Sequence, residues 1–398
     1  MKLLKKLTTH KKELNKVISK NKYINSILIN AANLNVGGGI QVAVSFIYEM
    51  TQLPDYNFSN INIIVSSKVH RELMILNADT NIFKSYRVID LIGLKSFFSN
   101  FNCEIKKYDV VFSIFGPNYL RKKAKKEIVG FAQPWIIDNS AYPILSTLEK
   151  LKTKLSFFAK QFFFKRSNIF IVELEHVQDG LYKKNIAYPG TVHVVYNCIS
   201  SIYFEPEKWR KLTIDSRNSN FKIGFITRDY IHKNTSILPA IKQILLNRYK
   251  LNVDFFVTFN EQEWKSKDAN FKSSILNVGS LAVTQCPSFY QAMDAVIFPS
   301  LLECFSATPL EAMAMEKPLF ASDRRFVRDI CNDYAFYFDP HDPSNVADVI
   351  ATYIHTLHKK DSTRLTAAKE HAINFSTAKD RAKRYLEIIE AELLKKTQ

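Results

Sequence analysis

Short apolar runs alternate with longer amphipathic runs along most of the chain, and this alternation constrains the fold more than any other feature. The short runs are typical of buried strands, and the amphipathic runs are typical of helices. Strand–helix alternation predicts parallel sheets covered by helices on both faces. The predicted strands form a first set at 26–30, 61–67, 108–116, 127–133, 168–174 and 193–197, and a second set at 221–227, 251–259, 295–300, 318–322 and 335–339.

Two sets of strands predict two doubly wound domains, which suits a chain of 398 residues, too long for one compact core. Helical patterns lie between the strands at 40–52, 235–248, 285–294 and 309–315. The polar stretch at 205–220 is the predicted linker, and a last helical pattern at about 376–395 can cross back to the first domain. The predicted boundaries are an extension at 1–22, domains at 23–205 and 206–375, and a C-terminal helix at 376–398.

Composition excludes several classes of protein. Apolar residues make up 46% and charged residues 23% of the chain, as in globular proteins. We expect neither a transmembrane helix nor a secretory signal, since no apolar run of about 20 residues occurs and the first residues lack an uninterrupted apolar core. The cysteines are scattered without a CxxC pair, which argues against zinc and disulfides and predicts a reducing cytoplasm; they are Cys103, Cys198, Cys286, Cys304 and Cys331.

The formal charge of +17 is concentrated in two stretches. Residues 1–22 carry a net +7 and residues 101–166 a net +8, and both interleave cations with apolar side chains. The second contains "LEKLKTKLSFFAKQFFFKRS", which has five phenylalanines among its lysines. Basic amphipathic helices suit an anionic membrane surface, so a peripheral location on the inner face of the cell membrane is one hypothesis. A solvated tail, an ordinary core helix with a lysine face, and a nucleic-acid patch remain alternatives.

Two carboxylates frame the stretch "ECFSATPLEAMAMEKP". Glu303 follows the predicted strand 295–300, and Glu311 lies about one turn into the next predicted helix. Carboxylates accept hydrogen bonds from vicinal hydroxyls, and helix-start amides such as those of Ala307 and Thr308 can hold phosphate. The spacing therefore favours a nucleotide sugar, although an acid complementing the helix dipole would also explain Glu311 alone.

Three further features follow predicted strands, where ligands bind in open α/β sheets. In "FITRDYIHKN", Arg228 and Lys233 precede a helix with Asn234 or Thr235 as its cap, and the two cations can converge on one diphosphate. In "NLNVGGGIQ", three glycines precede a helix beginning near Ile40, where backbone amides can approach an anion. Asn197, in "VVYNCIS", is predicted to be a turn residue.

The order of these motifs, continued by "VGS", "PLFASD" and "YFDPHDP", resembles the retaining glycosyltransferases of family four. The resemblance covers about 221–345 almost throughout and the N-terminal half mainly at the glycine loop. It implies the GT-B fold, two facing Rossmann-like domains with a cleft between them, and it identifies the carboxylate pair with the family's E-x7-E motif. It assigns the transferred sugar to Glu303, the ribose to Glu311, the diphosphate to Arg228 and Lys233, and further donor contacts to Gly38, Gly39, Ser306, Ala307 and Thr308.

The sequence also departs from the family pattern. Cys304 and Ser306 stand where the family usually has glycines, and Glu316 replaces a common glycine at a predicted helix C-terminus. The histidine often found in the acceptor-side loop is not evident. The stretch "AQPWIIDN" occupies that region and leaves Gln133, Trp135 and Asp138 as acceptor-side candidates.

The donor motifs and the resemblance together predict transfer of a hexose from a UDP- or GDP-sugar to a lipid-linked or polysaccharide acceptor, as in lipopolysaccharide, O-antigen or capsule biosynthesis. Cations and helix-start amides would stabilise the leaving diphosphate without a metal or other cofactor, and the absence of an obvious enzymic nucleophile fits front-face transfer with retention. A GT-B-like nucleotide-sugar epimerase is the alternative enzyme. A non-catalytic nucleic-acid binder would explain the charge but not the two glutamates.

Overall fold

The computed structural model describes residues 26–54, 56–214, 220–356 and 361–395. The predicted extension at 1–22 and part of the predicted linker lie outside these residues.

The first sheet has seven strands in the order β3-β2-β1-β4-β5-β6-β7. It is built around the fully buried strands β1 and β2, whose residues are nearly all apolar and therefore suit the centre of a parallel sheet. The strands are β1 (Ile27–Ala31), β2 (Ile61–Val65), β3 (Ser85–Val88), β4 (Val110–Ser113), β5 (Lys126–Gly130), β6 (Ile169–Val172) and β7 (Val192–Val194).

The second sheet has six strands in the order β10-β9-β8-β11-β12-β13, with each adjacent pair parallel. The strands are β8 (Phe221–Phe225), β9 (Val253–Val257), β10 (Ile275–Asn277), β11 (Ala295–Phe298), β12 (Leu319–Ser322) and β13 (Phe336–Phe338). Gly224 of β8 permits close packing, because a Cβ there would lie 2.6 Å from Met293 Cγ.

The described α-helices alternate with these strands, as the amphipathic runs predicted. They are α1 (Gly38–Thr51), α2 (Ser67–Ile75), α3 (Phe101–Glu104), α4 (Pro134–Ile137), α5 (Thr147–Phe164), α6 (Glu175–Lys183), α7 (Leu238–Tyr249), α8 (Glu261–Lys265), α9 (Ala269–Ser274), α10 (Cys286–Gln291), α11 (Thr308–Ala314), α12 (Arg325–Cys331), α13 (Pro343–Thr356), α14 (Ser362–Phe375) and α15 (Ala378–Leu394).

Every predicted strand is present, so the predicted fold class of two Rossmann-like doubly wound domains is confirmed. Two strands were missed, β3 and β10. The sequence of β3 is "SYRV" and none of its residues is buried, while β10 has only three residues. Neither segment carries the apolar run that marks a central strand.

Two details of the predicted helix starts were wrong. The first helix begins at Gly38 instead of near Ile40, so Gly38 and Gly39 lie in its first turn after Gly37 at a φ of 69°. The helix after β8 begins at Leu238, with Ile237 as its N-cap, and neither Asn234 nor Thr235 caps it. Asn234 instead adopts the left-handed conformation between two short 3₁₀ turns and donates to the carbonyl of Pro340.

The chain divides into two compact units. One contains the described residues up to Val129 and those from Leu386 onward, and the other extends from Gly130 to Tyr385. The second unit contains the second sheet and the strands β6 and β7. The domain boundaries drawn from the sequence stay a prediction. No helix among the described residues is both long enough and apolar enough to cross a membrane.

Candidate active site

Lys233 and Glu303 form an ion pair beyond the carboxyl ends of β8 and β11, two neighbouring strands of the second sheet. Lys233 Nζ lies 2.6 Å from Glu303 Oε1, and the two side chains are only 15% and 11% exposed. The ammonium also lies 5.6 Å from the ring centroid of Phe298, the last residue of β11. A poorly hydrated ion pair at this edge of the sheet is a preorganised charge site, because little water must be displaced when a charged ligand arrives.

Three hydrogen bonds hold the backbone that carries Glu303. Leu301 N donates to the carbonyl of His232 at 2.8 Å, and Ser140 Oγ donates to the carbonyl of Leu301 at 3.0 Å. His176 Nε2 lies 3.1 Å from the carbonyl oxygen of Glu303. The loop after β11 is therefore fixed from several elements, which restricts where the Glu303 carboxylate can point.

Glu311 is the fourth residue of α11 and lies in its first turn, as predicted. Tyr290 donates a hydrogen bond to its Oε2 at 2.8 Å, and Tyr203 also hydrogen-bonds to this carboxyl group. Burial raises the pKa of Glu311, while the two tyrosine hydroxyls and the charge of Lys233 act to lower it. Its carboxylate is thus a hydrogen-bond acceptor set in a largely desolvated position, near the ammonium of Lys233.

Arg228 is placed differently from Lys233. Its Nε lies 2.7 Å from Glu263 Oε1 in an ion pair, and its side chain is 54% exposed. The neighbouring Asp229 pairs with Lys267 at 2.6 Å and accepts a hydrogen bond from Thr235. The structure therefore joins Lys233, and not Arg228, to the glutamate of the motif. The predicted convergence of the two cations on a diphosphate stays a prediction.

The predicted phosphate-binding residues lie at the start of α11. Ser306 and Thr308 are buried, and Ala307 is the N-cap, with no side-chain cap hydrogen bond. The preceding Cys304 is also buried, and burial raises the pKa of its thiol well above the ordinary range. Where the family usually has glycines, this chain therefore has Cys304 and Ser306, whose side chains are buried and do not project into solvent.

The acceptor-side candidates lie near the loop of Glu303. Trp135 packs against the buried cluster of Ala141, Leu301 and Leu302, and its ring contacts that of His232 edge-on at 6.1 Å. Gln133 accepts a hydrogen bond from Lys160 of α5 at 3.1 Å, and Asp138 accepts one from the amide of the nearby Ser140 at 2.7 Å. Trp135 thus contacts Leu301 and Leu302, which directly precede Glu303.

Sequence reasoning missed a buried glutamate. Glu173 directly follows β6, is 6% exposed, and accepts a hydrogen bond from Asn197 Nδ2 at 2.7 Å. Arg381 of α15 donates to the other side of the same amide. Burial raises the pKa of Glu173 to about 7, against the opposing effects of Arg381 and Asn197, and the charge of Glu303 raises it further. Asn197 is thus a link in a buried polar network, and not only a turn residue.

Two histidines were also missed. His232 immediately precedes Lys233, and burial lowers the pKa of its ring, with the charge of Glu303 opposing the shift. His176 lies at the start of α6 and binds the backbone of Glu303. An acid directly after the four apolar residues of β6 was a signal for Glu173, of the same kind that pointed to Glu303. The two histidines are marked by contacts distant in sequence and gave no such signal.

The remaining predicted residues, Gly38 and Gly39, belong to the other compact unit and are described by themselves. They form the first turn of α1. A Cβ at Gly39 would lie 3.4 Å from both Leu34 and Phe115, whereas Gly38 has open space there. Within the described residues, no three His, Cys, Asp or Glu side chains are grouped so that they could hold a metal ion.

Residues 221–370 match the family described as glycosyl transferases group 1. This segment contains the second sheet, Lys233, Glu303 and Glu311. The segment 221–370 is therefore similar to the group 1 glycosyl transferases, and it lies in a two-sheet architecture of GT-B type.

The chain is also similar to individual proteins. It is 22% identical over 171 residues to the O-antigen chain mannosyltransferase RfbU of Salmonella typhimurium, a match that spans 42% of this chain and only 45% of that relative. A crystal structure of Anabaena Alr3699/HepE in complex with UDP and glucose has a TM-score of 0.64 at 14% identity, covering 92% of this chain and all of that one. A glycosyltransferase from Rickettsia africae has a TM-score of 0.66 at 14% identity, covering 93% and 99%. At these identities the two structures establish the fold.

Proposed function

We propose that the protein is a hexosyltransferase that moves a sugar from a nucleotide diphosphate sugar to a lipid-linked or polysaccharide acceptor, with retention of configuration. The pathway would be the biosynthesis of a surface glycan such as lipopolysaccharide, O-antigen or capsule. The observation that carries the proposal is the desolvated Lys233–Glu303 ion pair inside the segment that matches glycosyl transferases group 1.

The proposed chemistry follows from where charge develops. Breaking the bond between the sugar and the phosphate makes the anomeric carbon positive and the diphosphate negative. An ammonium has three donors, so Lys233 can stay paired with Glu303 while it also donates to the leaving phosphate. In this proposal Glu303 binds hydroxyls of the transferred sugar and Glu311 binds the ribose. We propose a metal-independent reaction, and activity that is lost with a chelator and restored by one divalent metal would contradict that part.

The relatives support the substrate class and leave the particular substrate open. The Anabaena structure contains UDP and glucose, whereas the Salmonella relative is described as a mannosyltransferase. A UDP-sugar or a GDP-sugar is therefore the proposed donor. The test is a screen of donors with released nucleoside diphosphate as the readout, run with and without acceptor. Epimerisation of the sugar without acceptor would favour the alternative enzyme.

A lipid-linked acceptor would place the protein at a membrane, and α5 has a surface suited to one. Five large apolar side chains lie on one face of this helix, each between 56% and 74% exposed. Their spacing of three and four residues aligns them along the helix. We name this face the α5 stripe: Leu148, Leu151, Leu155, Phe158 and Phe162.

The positive charge beside the α5 stripe favours an anionic bilayer as the surface that this helix face binds. At 100° per residue, the exposed Lys152 and Lys154 lie on opposite sides of the stripe. Lysines in that position can reach lipid headgroups while the apolar side chains enter the acyl boundary. The lysines of residues 1–22, which lie outside the described structure, would add an attraction of about 1 kcal/mol each.

Vesicles of phosphatidylcholine mixed with phosphatidylglycerol test this location. We expect a Leu155→Ser, Phe158→Ser protein to bind at least tenfold more weakly, since each inserted side chain contributes about 1.5–3 kcal/mol. Deleting residues 1–20 should weaken binding mainly at low salt, because exposed charges are screened. Leu246→Ser, at an isolated exposed leucine of α7, is the matched control. Equal co-sedimentation of all four proteins would remove the membrane from the proposal and leave the transferase intact.

A further inference from the structure

We propose that Lys160 of α5 binds the phosphate group of a lipid-linked acceptor. The inference rests on the proposed function and narrows it, because a neutral polysaccharide acceptor would give this lysine no anion to bind. Lys160 Nζ lies 3.1 Å from Gln133 Oε1 and 4.3 Å from the ring centroid of Phe157. These residues all belong to the compact unit that extends from Gly130 to Tyr385.

Lys160 lies on the inward side of an amphipathic helix. At 100° per residue, it is on the face of α5 opposite the α5 stripe, together with the fully buried Phe164. Lys152 and Lys154, beside the stripe, are exposed, whereas Lys160 is partly buried. An ammonium removed from water is costly unless a countercharge and hydrogen bonds compensate it, so its partners indicate what the site is built for.

Among the residues that the structure describes, no carboxylate forms an ion pair with this ammonium, and its hydrogen bond there goes to the neutral side-chain amide of Gln133. An ammonium has three donors, so two stay available for a ligand. Burial lowers the pKa of Lys160, as expected for a cation without a countercharge. An anionic group is therefore the ligand that this site favours.

Aromatic rings connect this lysine to the candidate active site. The ring of Phe157 stacks on that of Trp135 at 6.2 Å, and Trp135 contacts the ring of His232 edge-on at 6.1 Å. His232 directly precedes Lys233, which pairs with Glu303. Partly apolar walls with a few polar groups are typical of ligand sites. A molecule with its phosphate at this lysine can thus extend an attached sugar along the rings toward Glu303.

The phosphate of a lipid-linked acceptor fits this position better than two other phosphates. The α5 stripe, which we propose to face the bilayer, is on the other side of a helix about 10 Å across, so lipid headgroups of the bilayer surface do not reach Lys160. The diphosphate of the donor is assigned to Lys233. The remaining source is a molecule that is held in the bilayer by its lipid and places its head group inside the protein.

Calorimetric titration of the full chain with farnesyl diphosphate tests the site, and it needs neither donor nor transfer. This probe is a short, water-soluble lipid diphosphate, and farnesol is its uncharged counterpart. Lys160→Gln should weaken the binding of farnesyl diphosphate about tenfold or more and leave that of farnesol unchanged. Lys165→Gln, at the exposed lysine that forms the C-cap of α5, is the control. Binding that is lost in Lys233→Gln and retained in Lys160→Gln would place the diphosphate at the donor site and overturn the proposal.

A second variant adds the countercharge that Lys160 lacks. Gln133→Glu puts a carboxylate where the amide now accepts from the ammonium. The new ion pair should weaken farnesyl diphosphate binding about tenfold without lowering the free energy of unfolding. Lys160→Gln removes a partly buried charge and should not lower that free energy either. If both variants unfold more easily and both still bind the probe, Lys160 has a structural role and the proposal fails.

Vesicles of phosphatidylcholine mixed with phosphatidylglycerol distinguish the two lipid sources. Lys160→Gln should co-sediment with them as the wild type does, and a loss as large as that of Leu155→Ser, Phe158→Ser would assign bilayer headgroups to Lys160 and overturn the proposal. Unchanged affinity of Lys160→Gln for farnesyl diphosphate would also overturn it, while leaving a transferase with a neutral acceptor. Failure of the donor screen would contradict the proposed function and would not alter the calorimetric result.

Discussion

Glu303 and Glu173 are two poorly exposed glutamates that follow parallel strands, and they differ in the groups that contact their carboxylates. Glu303 has the ammonium of Lys233 at 2.6 Å. Glu173 has the amide of Asn197, with Arg381 acting on the far side of that amide. A direct cation can stabilise a carboxylate, whereas an amide offers one hydrogen bond, so burial raises the pKa of Glu173 to about 7. A glutamate that follows a buried strand is thus ion-paired with a lysine in one case and holds its proton to about pH 7 in the other.

Removing the cation from the first site should have the largest effect. We expect Lys233→Ala to lower kcat about 10²-fold or more, by analogy with the loss of a donor that stabilises developing negative charge. Steady-state release of nucleoside diphosphate measures it. Lys242→Ala, which breaks a partly buried ion pair with Asp254 on the same sheet, is the matched control. A kcat within twofold of wild type would show that the Lys233–Glu303 ion pair takes no part in the chemical step.

Neutralising the second glutamate should change stability and its pH dependence. Folded Glu173 holds its proton up to about pH 7, while an unfolded glutamate releases it near 4.3. The folded state therefore binds more protons between these values, and the free energy of unfolding falls as pH rises through them. The Glu173→Gln protein should lack this fall in the free energy of unfolding, which is on the order of 3 kcal/mol.

Denaturant unfolding at pH 5 and pH 8 measures this difference. Glu261→Gln, at a glutamate whose side chain is 80% exposed, is the control and should retain the wild-type pH dependence. If Glu173→Gln shows the same loss of stability between the two pH values as wild type, Glu173 is not the group that holds a proton up to about pH 7, and the contrast fails.

The third change tests whether Glu311 acts only in donor binding and not in the chemical step. A ribose contact is similar in the ground and transition states, so Glu311→Ala should raise the KM for donor and leave kcat nearly constant. The expected loss of donor-binding free energy is roughly 1.5–3 kcal/mol. Tyr290→Phe keeps the carboxylate and removes one of its hydrogen bonds, so its effect should be smaller. Unchanged donor affinity in a folded Glu311→Ala protein would contradict the ribose assignment.

The smallest effect is expected at Arg228. Its half-exposed guanidinium is paired with Glu263, and exposed pairs contribute about 0–1 kcal/mol. Arg228→Ala should therefore reduce kcat less than about fivefold. A loss as large as that of Lys233→Ala would mean that Arg228 leaves Glu263 for the diphosphate when donor binds, and it would restore the two-cation site predicted from the sequence.

The sequence predicted the parts of this molecule that depend on local pattern. The central strands are almost entirely apolar, so β1, β2 and β11 could be located from their composition alone. Glu303 and Glu311 belong to one contiguous stretch, which made their shared position predictable. The half-exposed β3 and the short β10 have no such pattern and were missed.

Contacts between residues that are far apart in the chain could not be predicted from the sequence. Arg381 reaches Asn197 across 184 positions, and His176 reaches Glu303 across 127. A single chain carries no local mark of either contact, because both are decided by how helices pack onto the sheets. The preference of Lys233 for Glu303 and of Arg228 for Glu263 is of the same kind, since both cations come from one short loop.

The α5 stripe also affects the solution behaviour of the purified protein. Its alternating spacing of three and four residues is the seam of a coiled coil. Without a bilayer, the most available apolar partner for this face is the same face of a second molecule. Purified samples should self-associate as concentration rises and disperse in mild detergent, and Leu155→Ser with Phe158→Ser should keep them monomeric. An oligomer that the double substitution abolishes on a sizing column would then be one formed through the α5 stripe.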